Sequence, residues 1–218
     1  IPDYSSFNPS SSRFYSDSMR LELIASADFE TKTSYQVIVS ANDGVNTANQ
    51  TITVNVTDRN DEAPVFTSDS TFTIDENTTA VTNVVTTDAD ANSTVTYSIT
   101  DGADAANFAL TNDGVLTISG TDYESGKTSY EVIVTATDND GTNSTPQTIT
   151  VTIKDVNDNA PVFTNNTSFP LSENETFVTE LVTTDADTNP TVTYSITGGA
   201  DASSFAVTEA GVLTINGT

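Results

Sequence analysis

Cysteine, histidine and tryptophan are all missing from this 218-residue chain. Without cysteine there is no disulfide framework and no thiolate metal site. Without histidine, the abundant serines and threonines lack the base that would activate a nucleophile. Small secreted domains often lean on disulfides, so a secreted chain of this composition needs another staple, and bound metal is one option. Basic residues are scarce as well: 6 Lys and Arg stand against 31 Asp and Glu, a net charge of −25. That balance excludes a surface that tracks nucleic-acid phosphates and one drawn to anionic lipid. It leaves cation binding, or an acidic surface kept for solubility. No apolar run approaches the length of a membrane span.

What is present is a repeat. Residues 58–66 read DRNDEAPVF and residues 155–163 read DVNDNAPVF, an offset of 155 − 58 = 97. The segment TTDAD ends at Asp90 and again at Asp187, and VTYSIT starts at Val95 and again at Val192, each at that same offset. TSYEVIVTATD, ending at Asp138, is echoed by TSYQVIVSAND, ending at Asp43, two residues off the period. Several blocks at one near-constant spacing mark tandem units. Within a unit the apolar residues alternate: Ile149, Val151 and Ile153 against Thr148, Thr150 and Thr152, and Tyr130, Val132, Val134 and Ala136 along one face. Period-2 patterning rich in Val, Ile, Thr and Tyr predicts half-buried strands, and Asn112-Asp113-Gly114 and Asp140-Gly141 mark turns.

About seven strands per unit predict an all-β architecture of tandem Greek-key β-sandwiches, immunoglobulin-like in layout. The expected divisions are 1–62 for the C-terminal part of one unit, 63–160 for a complete unit and 161–218 for the N-terminal part of a third. The expected core of the complete unit is Phe66, Phe72, Ile74, Val85, Tyr97, Ile99, Phe108, Leu116, Ile118, Val132, Val134, Ile149 and Val151.

Most acids of the complete unit fall in short motifs: Glu76 in DENTT, Asp88 and Asp90 in DAD, Asp122 and Glu124 in DYE, Asp138 in ATD, and Asp155 and Asp158 in DVNDN. Each flanks a strand end or a turn. Carboxylates packed this densely repel unless a cation sits among them, and hard divalent cations take six to eight oxygens from carboxylates and carbonyls. Asp-x-Asp spacing in extended chain points both side chains the same way. A lone DAD would be read as a turn former; the complete ordered set, repeated, argues for metal. Paired carboxylates could also serve a glycosidase, but their place in repeated linker motifs favours metal binding over catalysis, and the reading is that the chain is not an enzyme.

The ordered set of xEN, DAD, DYE, A-x-D and D-x-N-D-N-A-P-V-F resembles the extracellular repeats of the cadherin family, across nearly the whole chain apart from its first twenty or so residues. The resemblance implies three calcium ions at each linker between repeats. At the first linker it implies Asp28, Glu30, Asp58, Asn60, Asp61, Asp88, Asp90 and Asp138 as ligands, with Arg59 and Glu62 offering backbone carbonyls. Glu62 replaces the family's usual Asn, which a carbonyl ligand tolerates. At the second linker it implies Glu76, Asp122, Glu124, Asp155, Asp158, Asp185 and Asp187, with backbone oxygens from Val156 and Asn159 and the side chain of Asn157. Seven carboxylates per linker then face six positive charges, close to neutrality.

The leading expectation is a calcium-stiffened spacer in a cell-surface or secreted adhesin, with neighbouring repeats of the same chain as its first partners. The Ala-, Thr- and Asn-rich, Lys-poor composition looks more bacterial or marine than animal, and such arrays in bacteria usually occur in very large adhesins. The alternative is a recognition module that binds partner repeats or polysaccharide, or a head-to-tail filament subunit. Adhesion by a swapped, Trp-anchored N-terminal strand is unavailable to a chain without Trp. The spacing of Phe14 before Asp28 matches that of Phe108 before Asp122, and Thr218 matches Thr121. Both end units are therefore expected to be incomplete, with residues 161–218 of one molecule able to pair with roughly residues 1–62 of another.

Overall fold

A computed structural model describes residues 14–17 and 20–216. The expectations that fall on residues 1–13 and on Thr218 lie outside the described residues, as does the side chain of Phe14. Strands β1 (Phe14–Asp17) and β2 (Arg20–Leu23) form one antiparallel hairpin. Strands β3 (Ser34–Asn42) and β4 (Thr47–Asn55) form a second, in register from Ser34 opposite Asn55 to Asn42 opposite Thr47. The β3–β4 turn is held by Asp43, whose Oδ1 accepts from Val45 N–H at 2.9 Å and Asn46 N–H at 2.7 Å.

The next stretch carries β5 (Val65–Phe66), β6 (Thr71–Asp75), β7 (Ala80–Asn83), β8 (Thr86–Thr87), β9 (Thr96–Asp101), β10 (Phe108–Leu110), β11 (Val115–Ile118), β12 (Ser129–Thr137) and β13 (Gln147–Lys154). One sheet runs β6-β13-β12-β9 and the other β10-β11-β7, with β5 pairing β8. All pairs are antiparallel except β13 with β6, which is parallel. Counting β5 with β6 and β7 with β8 as interrupted single strands, the expected seven are present, and the chain crosses between the layers from β6 to β7, from β7–β8 to β9, from β9 to β10 and from β11 to β12.

The alternation read from the sequence sets the packing. Val132 and Val134 of β12 and Ile149 and Val151 of β13 are fully buried, with Tyr130 and Ile153 beside them. Phe108, Leu116 and Ile118 close the core from the opposite sheet. Phe66, Phe72, Ile74, Tyr97 and Ile99 pack against it while partly exposed. One expectation is overturned: Val85 is 49% exposed and Val84, at 2%, takes its place. The chain switches partners between β7 and β8. Val84 N–H donates to Gly114 C=O at 2.8 Å, whereas the Val85 carbonyl turns away to accept from Thr67 N–H and Ser68 N–H. Gly114 makes the approach possible: its φ is +92°, and a Cβ there would lie 2.4 Å from the Val84 carbonyl oxygen.

The last stretch holds β14 (Val162–Phe163), β15 (Phe177–Glu180), β16 (Thr183–Thr184), β17 (Phe205–Val207) and β18 (Val212–Ile215). β14 pairs β16, and the other sheet runs β15-β18-β17. These match β5, β8, β7, β11 and β10 at the offset of 97, for example 162 − 65. The counterparts of β6 and β9 are not strands. Residues 192–197 repeat VTYSIT letter for letter, yet that sequence forms β9 only where β12 lies alongside to pair with it.

The swap at positions 84 and 85 is testable by chemical denaturation of single variants in millimolar calcium. Val84→Ala is expected to cost about 1–3 kcal/mol and Val85→Ala less than about 0.5 kcal/mol. Equal costs would contradict the assigned facing.

Candidate metal centre

The acidic motifs stand at strand ends, and local backbone hydrogen bonds shape each of them. Asp122 opens a single 3-10 turn over Tyr123–Ser125, its Oδ1 accepting from Glu124 N–H and Ser125 N–H. Asp28 does the same for Glu30 and Thr31. In the two DAD motifs, Asp88 Oδ1 accepts from Asp90 N–H at 3.0 Å and Asp185 Oδ1 from Asp187 N–H at 3.1 Å. Glu76 is buried, 3% exposed. Its carboxylate ties the DYE turn to the second linker by accepting from Tyr123 N–H at 2.7 Å and Val156 N–H at 2.8 Å.

The two linkers are wired alike. Asp58 Oδ2 accepts from Ala91 N–H and Asp155 Oδ2 from Thr188 N–H. Asp90 Oδ2 accepts from Glu62 N–H and Asp187 Oδ2 from Asn159 N–H. Each carboxylate thus spends one oxygen on the backbone of the neighbouring segment. The other oxygen of Asp58, Asp90 and Asp155 is buried with no donor, and so are Asp138 Oδ2, Glu124 Oε1 and Asn60 Oδ1. Buried polar atoms in folded proteins are nearly always partnered, so six such oxygens in these motifs call for a positive group.

Four clusters draw carboxylate oxygens to within 4.8 Å of one another: Glu30, Asp58 and Asp90; Glu30, Asp61 and Glu62; Glu76, Glu124 and Asp158; and Glu124, Asp155 and Asp187. Asp28, Asp88, Asp122, Asp138 and Asp185 stand outside those clusters. Asn157 and Arg59 are exposed. Three contributions escape a reading of motifs alone. Glu62 brings its carboxylate, not merely its carbonyl, to Glu30 and Asp61, and the signal was the Glu in place of Asn. Asn77, in the left-handed conformation with φ 58°, donates from Nδ2 to Asp158 Oδ2 at 2.6 Å. Asn139 accepts from Asn60 Nδ2 at 3.1 Å.

The electrostatics follow the crowding. Burial, then the charge of Glu76 and contacts with Asp122 and Asp155, push the Glu124 carboxyl up to about 7. Burial and the charges of Glu76, Asp187, Asp122 and Asp155 likewise raise Asp158. At the first linker Glu30 is raised as well: a hydrogen bond with its own backbone is outweighed by desolvation and by Asp28, Asp90 and Asp58. Asp187, although desolvated, is lowered because both its oxygens accept from Asn159.

The same architecture is found in known proteins. The Cadherin domain family profile matches residues 70–154. This is a cadherin-family repeat. Over 211 residues the chain is 34% identical to human Protocadherin Fat 1, covering 88% of this chain and 5% of that protein's length. It is 33% identical over 221 residues to the Protocadherin-like wing polarity protein stan of Drosophila melanogaster, covering 90% of this chain and 6% of that one. The chain therefore spans a small part of these relatives. Among solved structures, mouse Protocadherin-24 EC1-3 superposes with a TM-score of 0.67 at 25% identity, covering 97% of this chain and 75% of that one. Protocadherin gammaB7 EC3-6, a cis-dimer structure, gives 0.70 at 25% identity over 96% and 58%. The cadherin match makes this an extracellular, adhesion-type segment with an immunoglobulin-like sandwich. No helix among the described residues is long and apolar enough to cross a membrane.

A raised carboxyl has a definite pH signature. The folded-state value of Glu124, about 7, lies above its ordinary 4.5, so the folded chain holds a proton that the unfolded chain has released. Stability in chelator is expected to fall as pH rises through that window. The lowered groups Asp28, Asp43, Asp104 and Asp187 act below it. Thermal melting in chelator between about pH 5 and pH 7.5 checks this: Glu124→Gln should flatten the slope, and a wild-type melting temperature that climbs with pH would contradict it.

Proposed function

We propose that each linker binds calcium and clamps successive repeats into a stiff extracellular spacer of an adhesion protein. The repeats would be 63–160 as a complete unit, with 1–62 and 161–218 as parts of its neighbours. The observation that carries this reading is the set of donorless buried oxygens on Asp58, Asn60, Asp90 and Asp138, drawn from the linker, the DAD loop and the loop after β12. Calcium suits them because it accepts mixed carboxylate, amide and carbonyl oxygens in flexible geometry. Glu30 and Asp28 reach the first linker from one repeat and Asp88, Asp90 and Asp138 from the next, so an ion held by both sets resists hinging. Asp122, Glu124 and Glu76 play the corresponding part against Asp185 and Asp187 at the second linker, with Asp155, Val156, Asn157, Asp158 and Asn159 between them. The role is mechanical and non-catalytic.

Calcium is expected to raise the melting temperature markedly, because the ligands converge only in the folded chain, with affinity on the order of 10⁻⁵–10⁻³ M. Calorimetric titration with a parallel melt decides it; an unchanged melt at several millimolar calcium defeats the reading. In limiting calcium, Asp158→Ala should broaden the small-angle scattering profile through a looser second hinge while leaving the sandwich intact. An unchanged extended profile would remove Asp158 from the ligand set.

A second reading, contact with another copy, draws on one observation. Val39 and Val54 are 40% and 37% exposed where their counterparts Val134 and Val151 are fully buried. Strands equivalent to β6 and β9, supplied by adjoining chain or by another copy, would cover that face. Sedimentation of the 218-residue chain in calcium separates the two: concentration-dependent association supports trans pairing, and a constant monomer excludes it. A monomer that binds no glycan also favours the spacer over a recognition module.

A further inference from the structure

Asn139 follows Asp138 in the loop between β12 and β13, and nothing in the acidic motif pattern singles it out. Its side-chain oxygen accepts two hydrogen bonds, from Thr94 N–H at 2.9 Å and from Asn60 Nδ2 at 3.1 Å. The first of these removes an ambiguity. A backbone N–H can only donate, so the atom of Asn139 facing Thr94 must be the amide oxygen and not the nitrogen. That oxygen is also the atom facing Asn60, so Asn60 must present its NH₂ group there. The Asn60 carbonyl oxygen is thereby turned the other way, where it is buried and meets no donor.

The same loop orients a carboxylate. Asp138 is 5% exposed; its Oδ1 accepts from Asp140 N–H at 2.9 Å and Thr142 N–H at 2.8 Å, which leaves the buried Oδ2 unpartnered. Residues 138–142 therefore direct two donorless oxygens, one of their own and one belonging to the linker. At the second linker Asn157, the counterpart of Asn60, is exposed, and the amides of Asn77 and Asn159 donate to Asp158.

We propose that Asn139 is a positioning residue for the first linker's cation site: anchored by Thr94 N–H, it locks the Asn60 amide with its oxygen toward the metal. The proposal rests on the calcium reading given above. It assigns to the loop after β12 a second task, reaching back across the repeat boundary to orient a ligand that it does not itself supply.

The test is calcium titration by calorimetry on the 218-residue chain, with melting in chelator as a check on the fold. Loss of an outer-shell partner of a metal ligand typically costs about 10–100-fold in metal affinity, and Asn139→Ala is expected to weaken the first linker by up to that factor. Asn139→Asp keeps an oxygen acceptor for both donors and should retain most of the affinity. In an Asn60→Ala background the Asn139→Ala change should have no further effect, because the residue it positions is gone. Wild-type affinity in Asn139→Ala, or a full loss that persists in the Asn60→Ala background, overturns the proposal. Failure of the unmutated chain to bind calcium overturns the underlying reading instead, and is seen before any variant is compared.

Discussion

The structure depends on a conflict between like charges. Carboxylates from separate segments are brought within a few ångströms of one another at each repeat boundary, and much of their surface is shielded from water. The backbone settles half of the conflict. Asp58, Asp90 and Asp155 each give one oxygen to a main-chain N–H of the adjoining segment, and Asp138 gives one to its own loop. The remaining oxygens have no donor. Desolvation of that kind is costly for a charged group unless it is neutralised. The two neutralising agents are protons, which the raised Glu124, Asp158 and Glu30 would take up, and a cation.

A cluster of this kind needs a frame that does not yield. The buried faces of β12 and β13, packed on Leu116 and Ile118, make such a frame. The acids sit where strands end: Glu76 after β6, the DAD motif after β8, Asp138 after β12 and Asp155 after β13. Glu76 then ties the linker back to the DYE turn through two backbone N–H groups. Linker geometry is in this way inherited from sandwich geometry, and the backbone bonds shared by Asp58 with Asp155 and by Asp90 with Asp187 follow from the 97-residue repeat.

The linkers are not copies in every detail. Glu62 stands where Asn159 stands. Asn159 uses its amide to donate to Asp158 and Asp187, whereas Glu62 adds a carboxylate beside Glu30 and Asp61. At this position the first linker therefore carries a carboxylate in place of those two amide donors, and the nearby Asn60 amide donates to Asn139.

The chain's own order of residues determined the repeat, the β period and the facing of whole strands. Tyr130, Val132, Val134 and Ala136 read inward from sequence and lie inward, because a side-chain period of two leaves a half-buried strand only one sensible phase. It also determined where the acids gather, since those motifs are local. Tertiary structure decided the rest, through contacts between residues far apart in the chain. Val84 displaced Val85 from the core because the β7–β8 strand changes partner at Gly114. VTYSIT lies largely within β9, Thr96–Asp101, where β12 pairs with it, and its copy at 192–197 is not a strand. Which oxygen of Asp58, Asp90 and Asp155 is left without a donor, and which amide Asn60 meets, depends on hydrogen bonds spanning tens of residues, and no local pattern encodes those.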